Sequence, residues 1–261
     1  MYADGWPTGV GRILLDTVDS TNAEARRRAP LIDAPTWIMA RAQTAARGRR
    51  GRPWATTTGN LAATLVMRPG LDPQAAGLRS FVAALALFDA LVAVTGRPGA
   101  FALKWPNDVL LYGGKLAGIL LESAGVGGQV SYLAIGIGVN LATVPGADAV
   151  EPGALRPVSL ASETGLCIPP EEFLPPLATA FAQWEDRLQT RGFAPLRAAF
   201  MAHAANVGAR VEARTGAEVI SGRFDSLDET GALIVITDRG RRAIPAAEVF
   251  FRQETGHAAG N

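Results

Sequence analysis

Short apolar runs recur along most of the chain, and the period of each predicts its element. Ile13–Leu15, Thr36–Ala42 and Leu61–Met67 read as strands, whereas Leu78–Thr95 is largely apolar at helical length and predicts a core helix. Thr21 and Glu24 have capping-box spacing, so a helix is expected over Ala23–Ala29, ending before Pro30. Phe101–Asp108 leads into Val109–Tyr112, a turn at Gly113-Gly114 returns the chain through Lys115–Glu122, and Val130–Leu141 forms a further long strand. Successive hairpins imply an α+β fold: a mixed, largely antiparallel sheet with helices packed on it. Gly118, Gly136 and Gly138 fall inside strands, where a ligand or another backbone can approach closely. After an irregular Pro145–Pro157 link, Glu171–Arg191 and Pro195–Ala204 predict amphipathic helices. From Gly208 the texture changes to short strands at Val211–Ala213, Val219–Phe224, Ala232–Ile236 and Arg241–Pro245, the spacing of a small β-barrel. Two domains are therefore expected, 1–207 and 208–255, followed by a tail at 256–261.

One stretch fits neither period. Gln43–Asn60 is broken for a helix by Gly48, Gly51, Pro53 and Gly59 and has no alternating apolar face. It reads as a loop carrying Arg47, Arg49, Arg50 and Arg52, whose guanidinium groups repel one another unless an anion sits among them. Composition sharpens this picture. The chain has 261 residues, 48% of them apolar, and a formal net charge of only +1, so positive charge is concentrated locally and the chain is no basic nucleic-acid coat. A single cysteine, Cys167, excludes an internal disulfide framework. Met1–Gly11 lacks the basic start and apolar core of a secretory signal. The run Phe81–Val94, interrupted by Asp89, reads as too short to span a bilayer, so a cytoplasmic protein without a membrane partner is expected.

Several chemistries drop out. No Gly-Lys-Ser/Thr closes the arginine loop into a phosphate-binding P-loop, and Gly136-Ile-Gly138 is followed by Pro145-Gly146 rather than a helix. With only His203 and His257 and no paired cysteines, a protein-built metal site is not expected. No nucleophile elbow stands out. What remains is cationic: Lys115 beside a glycine-lined strand, Lys104 in Lys104-Trp-Pro-Asn-Asp108, and the arginine loop. Such a set can hold two anions side by side, as a reaction between a carboxylate and ATP requires. Two unit charges about 4 Å apart repel by roughly 4 kcal/mol at an effective dielectric of 20. Taken singly, Lys115 also reads as an exposed turn lysine, and Ser20-Thr21-Asn22 as caps.

Together the motifs resemble the biotin protein ligases. They are Ser20-Thr21-Asn22, Gln43-Thr-Ala-Ala-Arg-Gly-Arg-Arg-Gly-Arg-Pro-Trp54, Gly59-Asn60-Leu61, Lys104–Asp108, Gly114–Glu122 and Gly136-Ile-Gly-Val-Asn140, in that order. The stretches from Asp228 to Leu233 and from Glu248 to Arg252 are similar to that family's small C-terminal domain. The resemblance implies a class II aminoacyl-tRNA-synthetase-like catalytic domain and an Src-homology-3-like barrel. It implies a two-step reaction: biotin and ATP give biotinyl-5′-adenylate and pyrophosphate, and a lysine of a biotin carboxyl carrier domain then takes the biotinyl group. Biotin would be bound by Ser20, Thr21, Asn22, Gln43, Arg47, Gly48, Arg49, Lys115 and Gly118. ATP would lie against Arg49, Arg52, Trp54, Lys104, Asn107, Lys115, Asn140 and Arg252, with Mg²⁺ on its phosphates. Lys115, Arg49 and Asp108 would carry catalysis: Lys115 bridging carboxylate and α-phosphate, Arg49 on the closing loop, Asp108 orienting or deprotonating the incoming lysine. Glu122 is left between a structural and a functional role.

Two departures accompany the resemblance. Ala46 stands where the family commonly has glycine, as do Ala246-Ala247 before Glu248. Fewer than about twenty residues precede Asp19, too few for the DNA-binding module of bifunctional relatives, so the monofunctional kind without DNA binding is expected, and a homodimer is left open. Lipoate or octanoate transfer on the same fold is the alternative. A nucleic-acid-binding module using the arginine loop is the other, disfavoured because Trp54 is the only aromatic among the arginines.

Overall fold

The expected strands assemble into two separate sheets. The computed structural model describes residues 5–54, 57–144, 155–245 and 247–251; Arg252, Ala246, the tail and most of the Pro145–Pro157 link lie outside the described residues. In chain order the first part contains β1 (Gly11–Val18), α1 (Thr21–Arg28), β2 (Thr36–Gln43), β3 (Leu61–Met67), α2 (Pro73–Gly77) and α3 (Arg79–Thr95). There follow β4 (Phe101–Lys104), β5 (Asp108–Leu111), β6 (Gly114–Val126), β7 (Gln129–Val139), α4 (Leu160–Thr164), α5 (Pro170–Arg191) and α6 (Ala194–His203). Five strands close the chain: β8 (Arg210–Arg214), β9 (Val219–Leu227), β10 (Leu233–Thr237), β11 (Gly240–Ile244) and β12 (Glu248–Phe251).

The first sheet runs β1-β2-β3-β7-β6-β5-β4. Only β1 and β2 are parallel, because α1 crosses between them; every other pair is antiparallel. Register then does the assembling. Val18 pairs with Gln43, Leu61 with Val139, Ala117 with Val139 and Asp108 with Gly118. The ends of β1, β2 and β7 and the starts of β3, β5 and β6 therefore gather at one end of the sheet, and the arginine loop leaves from that end between β2 and β3.

β3 is buried along its whole length because α5 covers it on one side and α1 on the other, while α3 packs on β4 to β7. Trp37 meets Phe181 of α5 edge-to-face at 5.8 Å. Among the described residues one helical stretch, Pro73–Thr95, is long and apolar enough to cross a bilayer, which corrects the expectation from Phe81–Val94 alone. Continuity of α2 into α3 adds the length, and the stretch lies mostly inside the protein against α5 and α6. Within this core Arg79 forms a buried ion pair with Glu185 at 2.6 Å and also donates to Ala75 O at 2.8 Å.

Two local expectations change. Thr21 and Glu24 form no capping box: Ser20 is the N-cap residue without a side-chain cap, α1 already starts at Thr21, and Thr21 Oγ1 turns to Gln43. A reciprocal box does form between Ser159 and Ser162, at the start of α4. The β5–β6 turn is centred on Tyr112 (φ 47) and Gly113 (φ 80), one residue earlier than read, since a tight hairpin needs two left-handed residues.

The C-terminal strands form an antiparallel sheet in the order β11-β10-β9-β8-β12. It is seated on the first sheet through the Asp228–Ala232 turn. Trp105 Nε1 donates to Gly231 O at 3.1 Å, and Phe81 lies so close that a Cβ on Gly231 would come within 2.6 Å of its ring. Removing one partner of the Arg79–Glu185 pair leaves a buried charge without compensation. Arg79→Ala is accordingly expected to destabilise the chain by about 3–5 kcal/mol, and Arg79→Met with Glu185→Leu by less, as read by urea denaturation.

Candidate active site

At the gathered strand ends lies a cavity of about 620 Å³, within the usual range for small-molecule sites. Every described residue expected at the site lines it: Ser20, Thr21, Asn22 and Gln43 at one end, Arg47, Gly48, Arg49, Arg52 and Trp54 from the loop, and Lys104, Asn107, Asp108, Lys115, Gly118 and Asn140 from β4 to β7 and the segments at their ends. Arg252 lies outside the described residues.

One end is neutral and hydrogen-bonded. Ser20, Thr21 and Asn22 are buried at the N-terminus of α1. Thr21 N–H donates to Gln43 Oε1 at 2.8 Å, and its hydroxyl lies 3.1 Å from the same oxygen. Thr64, fully buried in β3, places its hydroxyl 2.8 Å from Thr21 Oγ1 and 2.7 Å from Asn22 Oδ1. Asn22 Nδ2 donates to Glu122 Oε2 at 2.7 Å. Both polar atoms of Asn22 thus hold protein partners. A Cβ on Gly136 would sit 2.3 Å from Asn22 Oδ1, so the bare strand is what admits the amide.

The middle wall is aromatic. Trp54 lies over β6 and β7, where a Cβ on Gly138 would meet Trp54 Nε1 at 2.7 Å and one on Gly118 would meet its ring at 3.2 Å. What these strand glycines accommodate is a side chain rather than another backbone. Lys115 Nζ lies 5.5 Å from the Trp54 ring centre and 2.8 Å from Asp108 Oδ1. Lys115 belongs to β6, not to the turn. Its backbone is gripped on both sides, N–H to Arg156 O at 2.8 Å and C=O from Val158 N–H at 3.0 Å. Asn140 supports that return, donating to Val158 O at 3.1 Å.

The other end is cationic. Asp108 stands between Lys115 and Lys104, whose Nζ is 3.6 Å from Oδ2. Burial lowers the Lys104 ammonium below its ordinary range, Asp108 opposes that shift and Lys115 adds to it. Arg49 is also held below its ordinary value, mainly by burial; it reaches Asn107 Oδ1 at 3.4 Å and Ala247 O at 3.2 Å. The loop is pinned by Gly48 N–H to Arg52 O and Trp54 N–H to Ala46 O, with Arg50 (φ 58) and Gly51 (φ 74) left-handed at its tip.

The anion that the loop arginines require comes from the second sheet. Glu248 accepts from Arg50 at 2.9 Å and pairs with Arg52 at 2.5 Å. Sequence reasoning missed this role, because nothing local ties β12 to an arginine 198 positions earlier. The unbalanced arginine cluster was its one signal. Thr64 was missed too, although it is the lone polar residue in the run Leu61–Met67. Burial works to raise the Glu248 carboxyl, but hydrogen bonding to Arg52 and the charges of Arg52, Arg50 and Arg49 hold it below its ordinary value. Its stabilisation is therefore complete above about pH 5 and is lost as pH falls through the depressed value. Glu248→Gln is expected to melt about 2–4 °C lower at pH 7, the shift of about 1 kcal/mol in a chain of this size. That gap should close in strong acid, as followed by melting temperature against pH.

Comparison with known proteins places the chain in a family. Residues 14–140 match the biotin/lipoate A/B protein ligase family, and residues 207–252 match the biotin protein ligase C-terminal domain. The chain is 56% identical over 238 residues to a biotin–[acetyl-CoA-carboxylase] ligase of Paracoccus denitrificans, covering 91% of this chain and 99% of that protein. It is 33% identical to the Mycobacterium tuberculosis protein of the same name, covering 90% and 87%. The structure of the Aquifex aeolicus biotin protein ligase with biotin and ATP superposes with a TM-score of 0.79 at 26% identity, covering 93% of this chain and 99% of that one. The chain belongs to the biotin/lipoate A/B protein ligase family.

Proposed function

We propose that the chain is an ATP-dependent biotin–protein ligase, joining biotin to AMP and then transferring the biotinyl group to a lysine of a biotin carboxyl carrier domain. The observation that carries this reading is the two-ended cavity, with Lys115 placed between a neutral hydrogen-bonding end and a cationic end. The names of the relatives and the biotin and ATP bound to the Aquifex aeolicus ligase support it.

The neutral end suits a ureido ring, which has two N–H donors and one carbonyl acceptor and is uncharged. The cationic end suits phosphates. Biotin's carboxylate would then meet the α-phosphate beside Lys115. A carboxylate oxygen attacks phosphorus, the P–O bond to pyrophosphate breaks, and Lys115 with Arg49 stabilises the charge that accumulates. In the second step the carrier lysine's neutral amine attacks the acyl carbon, the bond to the AMP oxygen breaks, and the amine proton is released. Asp108, beside Lys115 at the cavity wall, would orient that amine or help deprotonate it. Closure of the arginine loop over the intermediate would keep water from the mixed anhydride.

Mg²⁺ would enter on the ATP phosphates, where it neutralises charge. The two carboxylates lining the cavity, Asp108 and Glu248, already face cationic side chains and make a poor protein cage for it. Among the described residues no three His, Cys, Asp or Glu side chains converge as metal ligands. The C-terminal sheet would be the family's Src-homology-3-like barrel, with the boundary at 207/208, and the enzyme would work in the cytoplasm on its carrier. Arginines folded over a cavity and paired with Glu248 favour this reading over a nucleic-acid grip.

Pyrophosphate release with ATP is expected to require biotin and to be far slower with lipoate or octanoate; equal rates with the three acids would refute the substrate assignment. Lys115→Ala is expected to slow biotin-dependent pyrophosphate release by about two to four orders of magnitude, roughly 3–5 kcal/mol. A parental rate in that variant would remove Lys115 from the mechanism.

A further inference from the structure

We infer that Glu122 is a positioning residue that fixes the direction of the Asn22–Thr64–Thr21 hydrogen-bond chain at the neutral end of the cavity, and with it the affinity for biotin. The inference rests on the proposed function and on a chain of contacts rooted at one carboxylate. Glu122 follows the cavity-lining stretch of β6 and does not itself line the cavity.

A carboxylate only accepts hydrogen bonds, so the Asn22 atom 2.7 Å from Glu122 Oε2 must be the amide nitrogen. The second amide hydrogen faces Leu120 O at 3.4 Å, which points the same way. Asn22 Oδ1 therefore faces Thr64, 2.7 Å away, and the single Thr64 hydroxyl hydrogen is committed to it. Between the Thr64 and Thr21 hydroxyls, 2.8 Å apart, Thr21 is then the donor, sharing its one hydrogen with Gln43 Oε1 at 3.1 Å. The Thr21 oxygen keeps a lone pair for a ureido N–H, while Gln43 Oε1 is held by Thr21 N–H at 2.8 Å. Without an acceptor-only group at position 122 (glutamine presents either an oxygen or an NH₂) the Asn22 amide can turn over. Thr64 would then accept from Asn22 and donate to Thr21, occupying one of the two lone pairs that the Thr21 oxygen otherwise offers to the ligand.

Thr64 is the other link in this chain. It is a fully buried hydroxyl in an otherwise apolar strand. Replacing it by the isosteric valine removes the donor without emptying space.

The test is steady-state pyrophosphate release by the full chain with biotin and ATP varied separately, on wild type, Glu122→Gln, Thr64→Val and the exchange variant Asn22→Asp with Glu122→Gln. In the exchange variant the amide introduced at position 122 donates to the carboxylate introduced at position 22. That carboxylate still accepts from Thr64, so the direction of the chain is restored. A wild type lacking biotin-dependent release would overturn the proposed function itself. Given an active wild type, Glu122→Gln and Thr64→Val are each expected to raise the biotin KM about tenfold. The ATP KM and kcat at saturating biotin should stay within about twofold, and the exchange variant should recover most of the loss. Unchanged biotin KM in Glu122→Gln and Thr64→Val would overturn the inference. So would an exchange variant worse than Glu122→Gln alone, or a parallel fall of kcat and melting temperature. Should Glu122→Gln fail to fold, the biotin KM of Thr64→Val decides alone.

Discussion

Four arginines within six residues repel one another, and the fold resolves that repulsion by bringing a carboxylate from the far end of the chain. Glu248 reaches Arg50 and Arg52 from the edge of the second sheet, and Ala247 O receives Arg49. The same contact shapes the loop, closes one side of the cavity and ties the two sheets together there. A second tie runs from Trp105, in the segment that also supplies Lys104 and Asp108, to Gly231. The C-terminal sheet is thus part of the wall of the site.

Within the cavity, polarity is graded along its length. Neutral hydrogen bonds dominate at Thr21, Asn22 and Gln43, an indole covers the glycine-lined middle, and ammonium and guanidinium groups crowd the far end. Lys115 stands at the junction, its backbone clamped by Arg156 and Val158 and its ammonium beside Asp108. A strand position clamped on both sides holds the ammonium in one register, which a lysine on a mobile turn would lose. Burial of Lys104 and Arg49 makes their charges stronger partners for phosphate than exposed ones, at the expense of their own solvation.

Much of this was readable from residue order. Alternating and apolar runs determined where β2, β3, β7, α3 and α5 lie, because burial of one face demands a fixed period. Glycines and arginines determined that Gln43–Asn60 is a loop seeking an anion, and the ordered motifs identified the family and gathered the site residues into one expectation. The tertiary structure decided what no local pattern encodes: that Thr21 bonds Gln43 instead of capping its helix, that the strand glycines admit Asn22 and Trp54, that Thr64 and Glu122 stand behind the recognition end, and that the loop's counter-charge is Glu248. All of these partners are distant in the sequence. Sequence period reports which face a residue shows; only strand register and sheet packing decide which distant partner it meets there.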